Sequence, residues 1–254
     1  SREIGGYGID AQWSDDFHHA LHAVLTGEQA GYYADFGSVE LLAKTCRDVF
    51  AYDGAYSPFR QRRHGRPAHP LPGYRFLGYA QNHDQVGNRA TGERISHLVG
   101  MRRAKLAAGI VLTAPFVPML FMGEEFAAAT PFQFFCDFQG DLAGAVTAGR
   151  RREFAGFREF ADPAARARIP DPNDPATFER CKLDWNSLDQ PQHQAWLAHY
   201  RSLLALRRTH VVPRLPGMDA GAKFELVGTT GLVVRWRLGD GARLTLLANV
   251  GDAP

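Results

Sequence analysis

The sequence has few cysteines, and they are too dispersed to predict a disulfide framework or a zinc site. Its three cysteines among 254 residues are Cys46, Cys136 and Cys181, with no CxxC pair. A disulfide-stabilised domain carries an even and denser set, and a zinc knuckle needs closely spaced cysteines. A reducing cytoplasm fits this cysteine content best, so we expect a cytoplasmic protein.

The sequence also lacks an excess charge of one sign and a long apolar run. It has 29 Lys and Arg against 27 Asp and Glu, a net charge of +2, which gives no electrostatic case for nucleic acid. The longest apolar run, residues 104–121, is interrupted by Lys105, Thr113 and two prolines. It falls short of the roughly 20 apolar residues of a spanning helix, and the polar, glycine-rich N-terminus does not resemble a signal peptide. We expect neither a nucleic-acid nor a membrane partner.

The patterns that are present predict an α/β fold. Hydrophobic residues make up 45% and charged residues 22% of the chain, which is typical of a globular protein. Strand patterns are found at residues 9–13, 74–81 and 117–122. Helical patterns are found at residues 15–25, 39–52, 97–112 and 150–160. Connections of this length between strands favour parallel pairing, and we expect loops at residues 54–73, 123–149 and 161–190.

The last part of the chain predicts a different architecture. An amphipathic helix is predicted over residues 192–208, and strand patterns alone follow it, at residues 224–227, 232–238 and 244–250. Glycine-containing turns separate these strands, which predicts an antiparallel β-meander.

Five consecutive polar residues, beginning with Gln81 at the end of the predicted strand 74–81, occupy positions where a core would be apolar. The segment runs Asn82-His83-Asp84-Gln85, and Gly87 follows it. In parallel α/β folds ligands collect at the carboxyl ends of strands, and these side chains suit a hydroxyl-rich ligand. A turn closed by Asn and Asp side chains explains the same residues equally well.

A second polar cluster, residues 10–22, lies where the first strand becomes a helix. His18 and His22 are four residues apart and share a helix face, which is a spacing found in zinc sites. Position 19 is His, whereas the HExxH zinc motif has Glu there, so imidazoles that cap or pack are the stronger interpretation.

Two further segments have an open interpretation. Glu124 and Glu125 follow the end of the predicted strand 117–122, and an aromatic segment lies further on, at residues 131–138. The aromatic segment suits a saccharide groove, but also a hydrophobic cluster beneath a long loop. The basic run at residues 60–66 fits a solvated loop better than a phosphate or nucleic-acid patch, because no stacked aromatic pattern accompanies it.

Several motifs together resemble the maltooligosyltrehalose trehalohydrolases, which are glycoside hydrolases of the α-amylase type. They occur in order within residues 9–138: IDAQWSDDFHHALH, YSPFRQRRHG, YAQNHDQVGNRA, FMGEEF and PFQFFCDF. The NHD triplet is shared by the wider α-amylase clan, whereas DDFHH and FRQRRHG narrow the resemblance to the trehalohydrolases.

The resemblance implies the C-terminal portion of a (β/α)8 barrel. The three predicted strands would be strands six, seven and eight of that barrel. Residues 1–209 would then belong to the catalytic barrel, and residues 210–254 would begin a small all-β C-terminal domain, a β-sandwich.

The resemblance also implies the roles of individual residues. Asp84 would stabilise the transition state, while the nucleophile and the general acid would lie on barrel strands upstream of residue 1. The implied substrate contacts are Asp15, Asp16, Phe17, His18, His19, His83, Gln85, Val86, Gly87 and Asn88. The implied reaction is hydrolysis of the α-1,4 bond next to the terminal trehalose of maltooligosyltrehalose, and it needs no metal or organic cofactor.

Three other hypotheses remain open at the level of sequence. A branching enzyme or glucanotransferase would share the NHD and GEE motifs but pass the sugar to another hydroxyl group. A non-catalytic sugar-binding remnant would explain why only one of three acids has a candidate here. A histidine-dependent metalloenzyme would use His18 and His22. The segment DDFHH favours hydrolysis of an α-glucan oligosaccharide, with the upstream part of the barrel needed for activity.

Overall fold

A computed structural model describes residues 5–68 and 70–251, which form two compact units. The larger unit contains the described residues up to Ala80, residues 99–120 and the residues from Ala198 onwards. The smaller unit consists of residues 81–98 and 121–197. In the described ranges, no helix is both long and apolar enough to cross a membrane.

The larger unit contains the parallel sheet that the sequence predicts. Strands β1 (Gln12–Trp13), β4 (Phe76–Gly78) and β5 (Val117–Pro118) pair in the order β1-β4-β5, and both pairings are parallel. The strands are shorter than the predicted 9–13, 74–81 and 117–122. Gly78 allows β4 to pack closely on the chain before β5, because a Cβ atom there would lie 2.9 Å from the ring of Phe116.

Helix α1 (Asp15–Thr26) begins and ends where the sequence predicts. The Ser14 hydroxyl accepts a hydrogen bond from the N–H of Phe17 at 3.2 Å, and Gly27 ends the helix in the left-handed conformation. Asp15 and Asp16 occupy the first turn, where the helix dipole favours negative charge.

Helix α2 (Val39–Asp48) begins at the Ser38 cap as predicted but ends earlier than the predicted residue 52. Val49 has φ of +72°, a conformation that stops the helix and is rare for a β-branched residue. A hairpin follows, formed by β2 (Asp53–Ser57) and β3 (Arg62–Gly65), so the prediction of a loop over residues 54–73 was wrong there. Most of the hairpin is exposed, so it has no buried alternation to reveal it.

The β-meander is confirmed as an antiparallel sheet of β6 (Lys223–Val227), β7 (Gly231–Arg237) and β8 (Arg243–Asn249). Leu232, Val234 and Trp236 are buried on one face of β7. The indole N–H of Trp236 donates to the carbonyl of Cys46 at 3.2 Å, which fixes this face against α2.

Helices α4 (Ile95–Thr113) and α8 (Pro191–Leu206) confirm two further predictions, although Gly100, with φ of +69°, interrupts α4 with a kink. A single π-helical turn, Arg207–Val211, follows α8. The buried Arg207 guanidinium donates to the carbonyls of Leu112 at 3.1 Å, Ala114 at 2.6 Å and Phe116. It thereby satisfies backbone carbonyls at the C-terminal end of α4. Burial lowers the pKa of Arg207 to about 10.

The smaller unit contains more helix than the sequence predicts. Its helices are α3 (His83–Gly87), α5 (Gly140–Glu153), α6 (Pro163–Ala167) and α7 (Pro175–Cys181). The loops predicted over 123–149 and 161–190 were therefore partly wrong. Helices α6 and α7 each begin at an Asp-Pro pair, in which the Asp caps the helix and the Pro occupies its first turn.

Candidate active site

The larger unit contains a cleft of about 800 Å³ beside the N-terminus of α1. This volume lies in the range of about 300–1,000 Å³ that is typical of small-molecule sites. The residues that line the cleft come from β1, α1, the chain between α2 and β2, the β2–β3 hairpin, the segment before β4, and β4 itself: Gln12, Trp13, Asp15, Asp16, His19, Phe50, Tyr52, Arg60, His64, Gly65, Arg66, Pro67, Ala68, Pro70, Leu71 and Phe76. Three of the predicted substrate contacts, Asp15, Asp16 and His19, are therefore brought together there.

The two aspartates of the cleft have different environments. Asp15 is exposed and accepts a hydrogen bond from the hydroxyl of Tyr79. Asp16 is buried, and its Oδ2 accepts from the N–H of Tyr52 at 2.8 Å. Burial raises the pKa of Asp16, although the N–H groups of Tyr52 and Ala51 act in the opposite direction. Asp15 can therefore contact a sugar hydroxyl, whereas Asp16 holds α1 against the chain that enters the hairpin.

The histidines of α1 are packed as well as polar. His18 Nδ1 lies 2.9 Å from the carbonyl oxygen of Ala80, and its Nε2 lies 3.1 Å from the hydroxyl of Tyr33. Burial holds the pKa of His18 well below 6.5 and lowers that of His19 to about 4. Since a carbonyl only accepts, the neutral His18 ring donates from Nδ1 and accepts from Tyr33 at Nε2.

The His18 and His22 pair does not present two free nitrogens to a metal ion. Both ring nitrogens of His18 have protein partners, and His22 Nε2 lies 2.9 Å from Glu28 Oε2. Over residues 5–68 and 70–251, no three His, Cys, Asp or Glu side chains are grouped so that they could hold a metal ion. Of the three histidines of α1, His19 alone lines the cleft.

Aromatic and basic side chains complete the cleft. Trp13 is 40% exposed, and its ring lies edge-on to Tyr79 with the centroids 5.9 Å apart. The Arg60 guanidinium lies 5.2 Å from the centre of the Tyr52 ring. Exposed aromatic faces stack on the apolar faces of sugars, and Arg donates hydrogen bonds to hydroxyl and carboxylate oxygens.

Asp35 positions the hairpin that carries Arg60. Its carboxylate accepts from the hydroxyls of Tyr52, at 2.8 Å, and Ser57, and from the N–H of Phe59 at 3.0 Å. Burial acts to raise the pKa of Asp35, but these three hydrogen bonds lower it on balance. The interpretation of residues 60–66 as a solvated loop missed Arg60, His64 and Arg66 as cleft residues. The motif YSPFRQRRHG, residues 56–65, was the signal that could have identified Arg60 and His64, and Arg66 follows it directly.

In the smaller unit, Asn82 presents the NHD triplet at the start of α3. Asn82 Oδ1 accepts from the N–H groups of Asp84 at 2.8 Å and Gln85 at 3.2 Å. This cap leaves the side chains of His83 and Asp84 58% and 62% exposed, with His83 Nε2 3.5 Å from Asp84 Oδ1. The sequence left two alternatives, a turn closed by polar side chains and a set of polar groups for a ligand. In the structure, Asn82 closes the turn, and His83 and Asp84 remain exposed to solvent.

The remaining predicted contacts divide between buried and exposed positions. Phe17 and Val86 have buried side chains, and Phe17 packs edge-on against Phe116 with the centroids 5.0 Å apart. Gln85 and Gly87 are buried, and Asn88 is exposed. The substrate contacts of these residues stay predictions.

The Glu124 segment and the aromatic segment have structural roles in the smaller unit. The buried Arg94 guanidinium donates to the carbonyls of Thr130 and Met122, both at 2.7 Å, and burial lowers its pKa against the attraction of Glu124 and Glu125. Phe132 packs edge-on against both Phe121 and Phe135. A hydrophobic cluster therefore accounts for much of the aromatic segment.

Comparison with solved structures defines the class of protein. The crystal structure of a candidate α-amylase from Salmonella typhimurium matches this chain with a TM-score of 0.88 and 40% identity, over 96% of this chain and 42% of that one. Residues 219–254 match a family model described as a domain of unknown function, DUF3459. The predicted fold class, part of an α-amylase-like barrel followed by a small all-β region, is confirmed.

Within that class, the chain is similar to curated malto-oligosyltrehalose trehalohydrolases. It is 51% identical to the one from Arthrobacter ramosus over 82% of this chain and 36% of that protein. It is 43% identical to the one from Mycobacterium tuberculosis over 98% of this chain and 42% of that protein. It is 45% identical to the one from Saccharolobus solfataricus over 82% of this chain and 34% of that protein. The resemblance predicted from the motifs is confirmed, and the chain spans between a third and about two fifths of the length of these relatives.

Proposed function

We propose that this chain contributes to a glycoside hydrolase that cleaves the α-1,4 bond next to the terminal trehalose of maltooligosyltrehalose and releases trehalose. The observation that carries the proposal is the cleft at the start of α1, where Trp13, Asp15 and Arg60 combine an aromatic face, a carboxylate and a guanidinium. This combination suits an uncharged, hydroxyl-rich ligand. The names of the relatives support the choice of reaction.

Asp84 is proposed to act on the transition state. Hydrolysis of a glycosidic bond passes through an oxocarbenium-like state, in which positive charge develops on the sugar ring. The exposed Asp84 carboxylate can accept hydrogen bonds from ring hydroxyls and stabilise this charge. The neighbouring His83 can donate a hydrogen bond to a further hydroxyl. A retaining enzyme also needs a nucleophile and a general acid about 5 Å apart, which we expect from segments other than these 254 residues.

The test compares two aspartates in the first turns of two helices of the smaller unit. In a trehalohydrolase that carries this segment, Asp84→Asn is expected to lower kcat by at least about a hundredfold, because removal of a transition-state electrostatic contact typically costs about 3 kcal/mol. Asp141→Asn removes an exposed aspartate from the first turn of α5 and is the matched control. A normal kcat for Asp84→Asn would show that Asp84 only shapes the turn.

A further inference from the structure

The outer face of the C-terminal sheet contains a second, basic groove. Its volume is about 860 Å³, within the range of about 300–1,000 Å³ for small-molecule sites. The groove is lined by Asp219, Ala220, Gly221, Ala222, Lys223, Arg235, Trp236, Arg237, Gly241 and Arg243. Four of these ten residues are cations and one is a carboxylate.

Strand register places the cations of this groove directly opposite one another. Lys223 of β6 pairs with Arg235 of β7, and Arg237 of β7 pairs with Arg243 of β8. Because side chains alternate along a strand, Arg235 and Arg237 share the face opposite to the buried Trp236. Directly opposed residues have Cβ atoms about 5 Å apart, and like charges in such pairs destabilise a sheet. Two successive like-charged pairs therefore destabilise this sheet, and a bound anion would remove the repulsion within them.

The nearby carboxylates leave most of this charge uncompensated. Glu225 Oε1 accepts from Arg235 at 2.7 Å, and Asp240 Oδ2 accepts from Arg214 at 2.9 Å. In the part of the chain that the structure describes, the side chains of Lys223, Arg237 and Arg243 have no hydrogen bond or ion pair. The Asp219 carboxylate forms none with them, and the Asp219 N–H donates to the backbone carbonyl of Arg237 at 3.2 Å.

We propose that this groove binds a phosphorylated small molecule of about the size of a sugar phosphate. Guanidinium groups donate paired hydrogen bonds to phosphate oxygens, and Arg237 and Arg243 can do so from adjacent strands. The groove is much larger than a phosphate ion, and Ala220 and Ala222 give it apolar carbon for the remainder of the ligand. The site is independent of the proposed hydrolysis, because it uses no residue of the α1 cleft or of the NHD triplet.

The experiment measures binding of glucose 6-phosphate, inorganic phosphate and glucose to the 254-residue chain by titration calorimetry in low-salt, phosphate-free buffer. The test variant is Arg237→Gln with Arg243→Gln. The control is Arg102→Gln with Arg208→Gln, which removes the same charge from two exposed arginines outside the groove. Far-UV circular dichroism confirms that each variant is folded.

Glucose 6-phosphate is expected to bind at one saturable site, more tightly than inorganic phosphate, and glucose is expected not to bind there. The groove variant is expected to weaken this binding by at least about tenfold, the equivalent of losing one charge-assisted hydrogen bond, while the control retains it. Equal losses in the two variants, equal affinity for inorganic phosphate, or no saturable binding would each overturn the proposal.

A second measurement tests the repulsion between the like-charged residues without any ligand. In low-salt, phosphate-free buffer, Arg237→Gln removes one like-charged pair, so its Tm is expected to exceed that of the unsubstituted chain, and the Tm of Arg102→Gln is expected not to change. A lower Tm for Arg237→Gln would contradict the charge argument on which the site depends.

Discussion

Ser14 joins two helices of the larger unit through one hydroxyl group. It accepts from the N–H of Phe17 at the start of α1, and it donates to the carbonyl of Val49 just beyond α2 at 2.8 Å. Since Val49 has a left-handed φ, this bond also stabilises the turn that sends the chain into the hairpin of the cleft.

Ser14→Ala is therefore expected to lower the free energy of unfolding by about 2–3 kcal/mol, because it removes a cap, worth about 1 kcal/mol, and leaves a buried carbonyl without its donor. Ser38→Ala is the matched control, because Ser38 caps α2 by an exposed bond to the N–H of Leu41. Urea unfolding of both variants measures the difference. Equal losses would show that the bond to Val49 contributes nothing.

Arg207 has the same kind of role at the end of α4. Arg207→Met is expected to lower the free energy of unfolding by about 3 kcal/mol or more, since three carbonyls lose a charged donor. Arg208→Met changes the exposed neighbour in the same turn and is expected to have an effect within about 0.5 kcal/mol. Similar values for the two variants in urea unfolding would contradict this role.

At the scale of the element, the histidines of α1 make the stability of the folded chain depend on pH. His18 and His19 are neutral in the folded chain, with pKa values well below 6.5 and about 4 respectively. An unfolded His has a pKa of about 6.5, so the unfolded chain binds more protons between pH 6.5 and pH 4. The contribution of these two residues to stability is therefore full above pH 6.5 and decreases as the pH falls towards 4.

The raised pKa of Asp16 acts in the opposite direction, because the folded chain then binds the extra proton above the ordinary value of 3.8. His19→Gln removes one titrating group and is expected to flatten the loss of stability between pH 6.5 and 4. Urea unfolding of this variant and of the unsubstituted chain over this pH range measures the two slopes, and an unchanged slope for His19→Gln would contradict the assignment.

Elements with strong local signals are those that the sequence predicts well. Ser14 and Gly27 mark both ends of α1, and the glycine-containing turns define the C-terminal meander. The prediction that the second helix ends at residue 52 was wrong because the φ of Val49 is imposed by tertiary contacts, among them the hydrogen bond from Ser14. The β2–β3 hairpin was missed because its mostly exposed polar strands carry no apolar period. Helices α6 and α7 were missed although Asp-Pro pairs mark their starts.

The residues of the candidate site also differ in how far the sequence predicts them. The motifs that contain Asp15, Asp16 and Asp84 lie where a strand leads into a helix. Asp15 and Asp16 line the cleft, and the role of Asp84 stays a prediction. Arg60 and His64 reach the cleft because a hairpin is held by Asp35, more than 20 residues away in sequence. No local pattern encodes that contact, so the motif YSPFRQRRHG marks the segment, but only the fold shows that its side chains reach the cleft.

At the scale of the whole molecule, the proposed reaction needs more catalytic groups than we assign to this chain. Its parallel sheet has three strands, with β1 and β5 at the edges, and each pairing joins two residues of each strand. We expect the 254-residue chain alone not to release trehalose from maltooligosyltrehalose, because Asp84 is the one proposed catalytic carboxylate within it. Release at the rate of an intact relative, surviving further purification, would show that the nucleophile and the acid lie within these residues.

The most direct test of the central claim is a segment exchange. In the Mycobacterium tuberculosis trehalohydrolase, this chain would replace the segment to which it is 43% identical over 253 residues. The hybrid is expected to release trehalose from maltooligosyltrehalose, and the same hybrid with Asp84→Asn is expected to lose that activity while remaining folded. A folded hybrid that transfers sugar chains without releasing trehalose, or that has no activity on this substrate, would contradict the proposed function.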